Sequence, residues 1–148
     1  MLYNEINKTM LEAMKSKDKE TLSTIRLLKS AIDLYKINNK LTEITDDVVI
    51  EVASKQVKQH RESIEEFRNA GRNDLADNLE KEISIISKFL PEQLSKEEIE
   101  KEIDEIFAEV KPESRKDMGK VMKEANVRLK GKADFKLVSE IVNTKLGI

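Results

Sequence analysis

Apolar residues recur at intervals of three and four along almost the whole chain, and no stretch keeps the two-residue alternation of a strand for long enough to compete. That spacing predicts seven helices. Leu2, Ile6, Met10 and Met14 mark the first, which ends near Ser16, and Asp18 stands where the second needs an N-cap. The second covers about 19–38 and carries two stripes: Leu22, Ile25, Leu28, Ile32 and Tyr35 on one, with Leu27, Ala31 and Leu34 beside it. So wide an apolar arc predicts a central place in its bundle. Thr45 or Asp46 opens a long third helix with Val49, Ala53, Val57, His60, Ile64 and Phe67 in line, and Ala70-Gly71 ends it with a residue free to take positive φ. The fourth is capped near Asn73 and shows Leu75, Leu79, Ile83, Ile86 and Leu90. Proline disfavours helical geometry in the residue before it, so Pro91 stops this helix and a boundary is expected across Pro91-Glu92-Gln93.

Beyond that boundary Ser95 and Glu98 form a capping box, in which the hydroxyl takes one orphan amide while the carboxylate reaches back to the cap. Ile99, Ile103, Ile106 and Val110 follow, up to Pro112. Ser114 with Asp117 repeats the pattern more weakly ahead of a sixth helix through Met118, Val121, Met122, Ala125 and Leu129, which Gly131 breaks. Asp134 caps a seventh, with Leu137, Val138, Ile141, Val142 and Leu146. The expected fold is all-α: an N-terminal four-helix domain over 1–92, followed by a small C-terminal three-helix bundle over 93–148.

Composition agrees with helices that keep solvated faces. Charged residues make up 38% of the 148 and aromatics 4%, with four glycines and no tryptophan. The length suffices for one domain or two small ones with a modest core. Absence of cysteine rules out disulfides and thiolate metal sites, and fits a reducing compartment. Residues 1–5 show neither a basic flank nor a signal-like apolar stretch, and no run approaches a membrane span. These features set the expectation of a cytoplasmic protein without a membrane segment. Net charge is only −2, but residues 92–112 carry three basic and eight acidic side chains, whereas 113–148 carry nine and five. Such local asymmetry, unlike the total, can turn one face toward a polyanion.

Little in the chain suits catalysis. His60 is the only histidine, and its place on the apolar stripe between Val57 and Ile64 reads as a packed structural group. A dimetal Glu-x-x-His motif fails because residue 57 is Val. Ser16-x-x-Lys19 formally matches a serine–lysine pair but lies at a helix junction without companion motifs. Gly119-Lys120 is no nucleotide loop, since Val121 replaces the metal-binding hydroxyl and Ser114 the first glycine. Asp46-Asp47, Glu65-Glu66 and Glu97-Glu98 fit helix starts and solvated faces better than acid–base or metal duty. No catalytic residue, metal or cofactor is therefore assigned.

Binding remains. When the last two helices pack through their apolar stripes, Lys120, Lys123, Arg128, Lys130, Lys132 and Lys136 are expected to gather near their junction. Cations there would neutralise phosphates, Gly131 would let backbone approach, and the start of the last helix would offer unpaired amides. An ordinary solvated basic face is the competing account, since lysines are mostly exposed. Phe135 beside the cluster either stacks on a base or staples the helix start, and Arg61, Arg68 and Arg72 either extend the surface or pair with neighbouring glutamates.

Three separated segments resemble one family in the same order. They are Lys58-Gln59-His60-Arg61-Glu62-Ser63-Ile64-Glu65-Glu66-Phe67 with Ala70-Gly71-Arg72 and Asp74-Leu75-Ala76, then Phe89-Leu90-Pro91-Glu92-Gln93-Leu94-Ser95, then the basic run from Gly119-Lys120 to Lys136. Together they are similar to the free-standing YqeY family, and the last resembles the tail domain of the B subunit of the tRNA-dependent amidotransferases (GatB). Two departures stand out: Ala125-Asn126-Val127-Arg128 where relatives often have a proline, and Phe135 where they have glycine after the aspartate. The resemblance implies a non-catalytic accessory protein that binds tRNA or another structured RNA through Lys120, Lys123, Arg128, Lys130, Gly131, Lys132 and Lys136. An adaptor that docks on an amidotransferase or another translation-related protein partner, with the acidic fifth helix facing it, is the alternative. Carbon–nitrogen ligase activity with glutamine as donor, the chemistry of the parent enzyme's other domains, is the least favoured reading. Oligomeric state is left open.

Overall fold

The computed structural model describes residues 1–147, and among them it contains seven α-helices and no strand. Contacts divide the chain into a unit Met1–Pro91 and a second that begins at Glu92. The first holds α1 (Leu2–Ser16), α2 (Lys19–Asn38), α3 (Asp46–Asn69) and α4 (Asn73–Ile86). The second holds α5 (Lys96–Val110), α6 (Met118–Leu129) and α7 (Phe135–Leu146).

Helix starts are set by short polar side chains that take amides left over by the helical pattern. The Asp18 carboxylate accepts from the Thr21 amide at 3.1 Å and the Thr21 hydroxyl at 2.7 Å. Those bonds, with Lys88 nearby, hold it below the usual carboxylate range against a small opposing effect of burial. Thr45 caps α3 through the Val48 amide at 3.3 Å. Ser95 and Glu98 close both halves of their box, at 3.2 and 3.3 Å. Asp134 caps α7 through the Lys136 amide. Gly71 takes φ +74 just after α3, where the Arg72 amide reaches back to the Phe67 carbonyl at 2.8 Å.

Three local expectations need correction. Asn73 does not cap α4; it is the first helical residue, and its Oδ1 accepts instead from Arg68 at 3.4 Å. The α-helical part of α4 ends at Ile86 rather than at Leu90, because the chain tightens into a 3₁₀ turn over Ser87–Phe89. Leu90 then takes the extended geometry that a following proline requires, with φ −100 and ψ 155. Ser114 opens a 3₁₀ turn, Arg115–Asp117, rather than α6 itself, and Asp117 accepts from the Glu113 amide at 2.9 Å.

Ile25, Leu28 and Ile32 of α2 are fully buried with Ile6 of α1, Val49 of α3 and Ile86 of α4. α2 touches each of the other three helices of its unit, but of its second stripe only Ala31 packs on the core, and Leu27 and Leu34 stay exposed. The second unit closes on Ile99, Ile103 and Ile106 of α5, Val121 and Leu129 of α6, and Val138 of α7. This small core positions the basic segment.

Candidate nucleic-acid interface

Packing through Val121, Ala125 and Leu129 leaves the opposite side of α6 to solvent, and Lys120 and Lys123 stand on it one turn apart with Val127. Lys120 is 77% exposed, and its ammonium approaches the Asp117 carboxylate only at 3.9 Å. A pair that open contributes little and yields readily to another anion. Lys130 and Lys132 are exposed in the turn after α6, and Lys136 is exposed in the first turn of α7. Among the described residues no carboxylate pairs with Lys123 or Lys132. The five lysines therefore occupy one helix face, the turn that follows it and the start of the next helix.

Arg128 has a different place. Its guanidinium turns toward α5 and meets three carboxylates: Glu109, Glu105 at 3.7 Å, and Glu124 on its own helix at 3.2 Å. Hydrogen bonding to Glu109 above all holds it more firmly protonated than an ordinary arginine. The planar fork is suited to several acceptors at once, so Arg128 ties α6 to α5. Lys145 of α7 likewise pairs with Asp104 of α5. Three of the seven carboxylates of α5 are thus answered within its own unit.

Gly131 also departs from expectation. It is buried, its φ of +77 makes the turn, and its carbonyl accepts from the Gln93 carboxamide at 2.6 Å. A second bond runs from the Leu94 amide to the Lys132 carbonyl at 2.9 Å. Glycine is needed here for positive φ rather than to bare the backbone. The segment 93–94 holds the turn that displays Lys130 and Lys132, a role for Gln93 that helical periodicity cannot signal. The start of α7 is partly filled, since the Asp134 carboxylate accepts from the Lys136 amide at 3.1 Å and places an acid among the lysines. Phe135 is partly buried against the unit's core, which favours its structural reading.

Elsewhere Arg68 pairs across helices and Arg72 only locally. Arg68 meets Asp77 and Glu80 of α4, each at 3.1 Å, rather than the glutamates of its own helix, and Arg72 meets Asp74 at 3.3 Å. His60 Nε2 lies 3.6 Å from the Glu82 carboxylate and bridges α3 to α4. Among the described residues no group of three histidine, cysteine, aspartate or glutamate side chains is placed to hold a metal, and no helix is long and apolar enough to cross a membrane.

Comparison with known proteins gives a family. The model described as Yqey-like protein matches residues 3–146, so the chain belongs to that family. It is 33% identical over 140 residues to altered inheritance of mitochondria protein 41, mitochondrial, of Pyrenophora tritici-repentis, covering 91% of this chain and 75% of that protein. A protein of the same name from Lachancea thermotolerans is 32% identical over 108 residues, 72% of this chain but only 58% of the relative. An uncharacterized protein of Schizosaccharomyces pombe is 38% identical over 90 residues, 61% of this chain and 72% of that protein. The cytoplasmic expectation is corrected by these relatives, since those whose names state a location are mitochondrial. Physically, helical patterning and the absence of cysteine describe a folded domain and carry no address.

Proposed function

From the chain's place in the Yqey-like family, we propose that it is a non-catalytic accessory protein that binds tRNA or a similarly structured RNA through the lysines of its second unit. Lys120, Lys123, Lys130, Lys132 and Lys136 contact phosphates in this reading, while Arg128 and Gly131 hold the surface in shape. The observation that carries it is the division of labour among the cations: Arg128 and Lys145 turn toward α5, whereas Lys120, Lys123 and Lys132 stay on the outer side of α6 and the turn beyond it. Compact ammonium groups on flexible stems suit contact with a phosphate backbone, without sequence readout. Retention of Asp104, Glu105 and Glu109 by internal partners counts against the rival in which α5 is the docking face.

Binding of a tRNA transcript measured against salt tests this. A log–log slope of up to about −0.9 per phosphate contacted on a duplex is expected. Reversing charge with Lys130→Glu and Lys132→Glu should make the slope shallower by roughly 1 to 2. Equal slopes for both proteins would exclude direct phosphate contact by the turn.

A further inference from the structure

The second helix carries an apolar seam that its own unit does not cover. Among the described residues every large hydrophobic side chain that is exposed, apart from Val127, falls within the first 37 positions. Leu27, Leu34 and Ile37 of α2 are 59%, 57% and 71% exposed. Scattered single leucines need no explanation, but these three share a register. Ser23, Leu27, Ser30, Leu34 and Ile37 follow one another at spacings of four, three, four and three, which is the seam of a heptad repeat. The seam lies opposite Ile25, Leu28 and Ile32, which face the core. Along its N-terminal half runs an open groove of about 370 Å³, lined by Lys19, Leu22, Ser23, Arg26, Leu27 and Ser30. Its two charged walls, Lys19 and Arg26, are both basic and exposed, and no carboxylate pairs with either among the described residues.

We infer that this face of α2 receives an amphipathic helix of another protein, one whose apolar a and d side chains seat between Leu27, Leu34 and Ile37 and whose flank presents carboxylates to Lys19 and Arg26. The small serines at 23 and 30 leave room beside Leu27 and Leu34 for bulky side chains of a facing helix. A bilayer surface is a poorer match, because insertion favours a broad face of large apolar groups over a narrow seam interrupted by hydroxyls. A second copy of this chain is also a poorer match. In a parallel pair Lys19 and Arg26 would face the uncharged Thr24 and Ala31, and in an antiparallel pair the acid available to Arg26 on that flank is Asp33, whose Oδ1 already accepts the Tyr3 hydroxyl at 2.8 Å. The inference uses no residue of the second unit, so it stands or falls separately from RNA binding.

Two synthetic helical peptides of roughly three heptads test it, with identical leucine seams and either glutamate or lysine at the flanking positions, titrated against the full chain by fluorescence anisotropy. The glutamate peptide should bind about tenfold tighter than the lysine peptide. Arg26→Glu should reverse that preference, and Leu34→Glu should abolish binding of both. Leu34 and Arg26 are exposed, so both variants should keep the parent's circular dichroism and melting point, which separates a lost surface from a lost fold. Equal affinity for the two peptides, or none for either, would overturn the inference. So would sedimentation showing a dimer of the chain that Leu34→Glu dissociates, or flotation with phosphatidylglycerol vesicles that the same change abolishes; these would name a second copy or a membrane as the occupant.

Discussion

Tyr3 and Arg128 show what single side chains contribute here. The Tyr3 hydroxyl donates to Asp33 across α1 and α2 at 2.8 Å, and its pKa is pushed up to about 12, first by burial and then by the hydrogen bond and charge of that carboxylate. Unfolding releases the phenol to its ordinary value of 10.0. The protonated phenol therefore favours the folded state fully below pH 10.0, and that advantage is lost as the pH rises through about 12. Urea unfolding across that window should show stability falling with pH, and Tyr3→Phe should flatten the dependence; an unchanged profile would mean that the hydroxyl does not hold its partner in solution. Arg128 offers a complementary test. Lysine in its place keeps the charge but cannot bond three carboxylates on two helices at once. Arg128→Lys is therefore expected to lower the melting point, and Arg128→Gln, which also removes the charge, to leave the salt slope of tRNA binding unchanged. A shallower slope would return Arg128 to the RNA surface.

At the scale of elements, four helix starts were readable because capping is local chemistry, whereas Asn73 lies inside α4 and Ser114 opens a 3₁₀ turn ahead of α6. Asp18, Thr45, Ser95 and Asp134 each bond an amide two or three residues ahead, so their effect is written within one turn. Ser95→Ala should cost about 1 kcal/mol by chemical denaturation, since it leaves the Glu98 amide without its hydroxyl acceptor while the backbone amide of residue 95 can still reach the Glu98 carboxylate. A change within error would show that water replaces the hydroxyl without loss. Helix ends and outward faces were less legible, for a physical reason. The 3₁₀ turn at Ser87–Phe89 buries Phe89, which depends on what α3 and α4 leave room for. The second apolar stripe of α2 reads from sequence as core, yet the unit has three neighbours for that helix and none on the side of Leu27 and Leu34. The candidate site divides in the same way. Helical spacing alone puts Lys120 and Lys123 on one face, whereas the partners of Arg128 at Glu105 and Glu109 follow only from how α5 and α6 pack.

For the whole molecule the informative feature is that two apolar cores are complete in themselves. Ile6, Ile25, Leu28, Ile32 and Val49 belong to one, and Ile99, Ile103, Ile106, Val121 and Val138 to the other, with no buried residue shared. Leu28 and Ile103 are each fully buried, so truncation of either to alanine should cost about 2–5 kcal/mol in transfer and cavity terms. If each unit's stability is its own, the double variant should lose the sum of the single losses to within about 0.5 kcal/mol, as sites without shared partners do. The relevant measurement follows both units separately, by hydrogen exchange at the amides of Ile32 and Ile106 in the two single variants and the double. Leu28→Ala should accelerate exchange at Ile32 and leave Ile106 at its parental rate, with the converse for Ile103→Ala. Acceleration of both amides by either change would mean that the units unfold as one, and a chain that displays lysines on one unit and a helix-binding seam on the other would then transmit binding at one to the stability of the other.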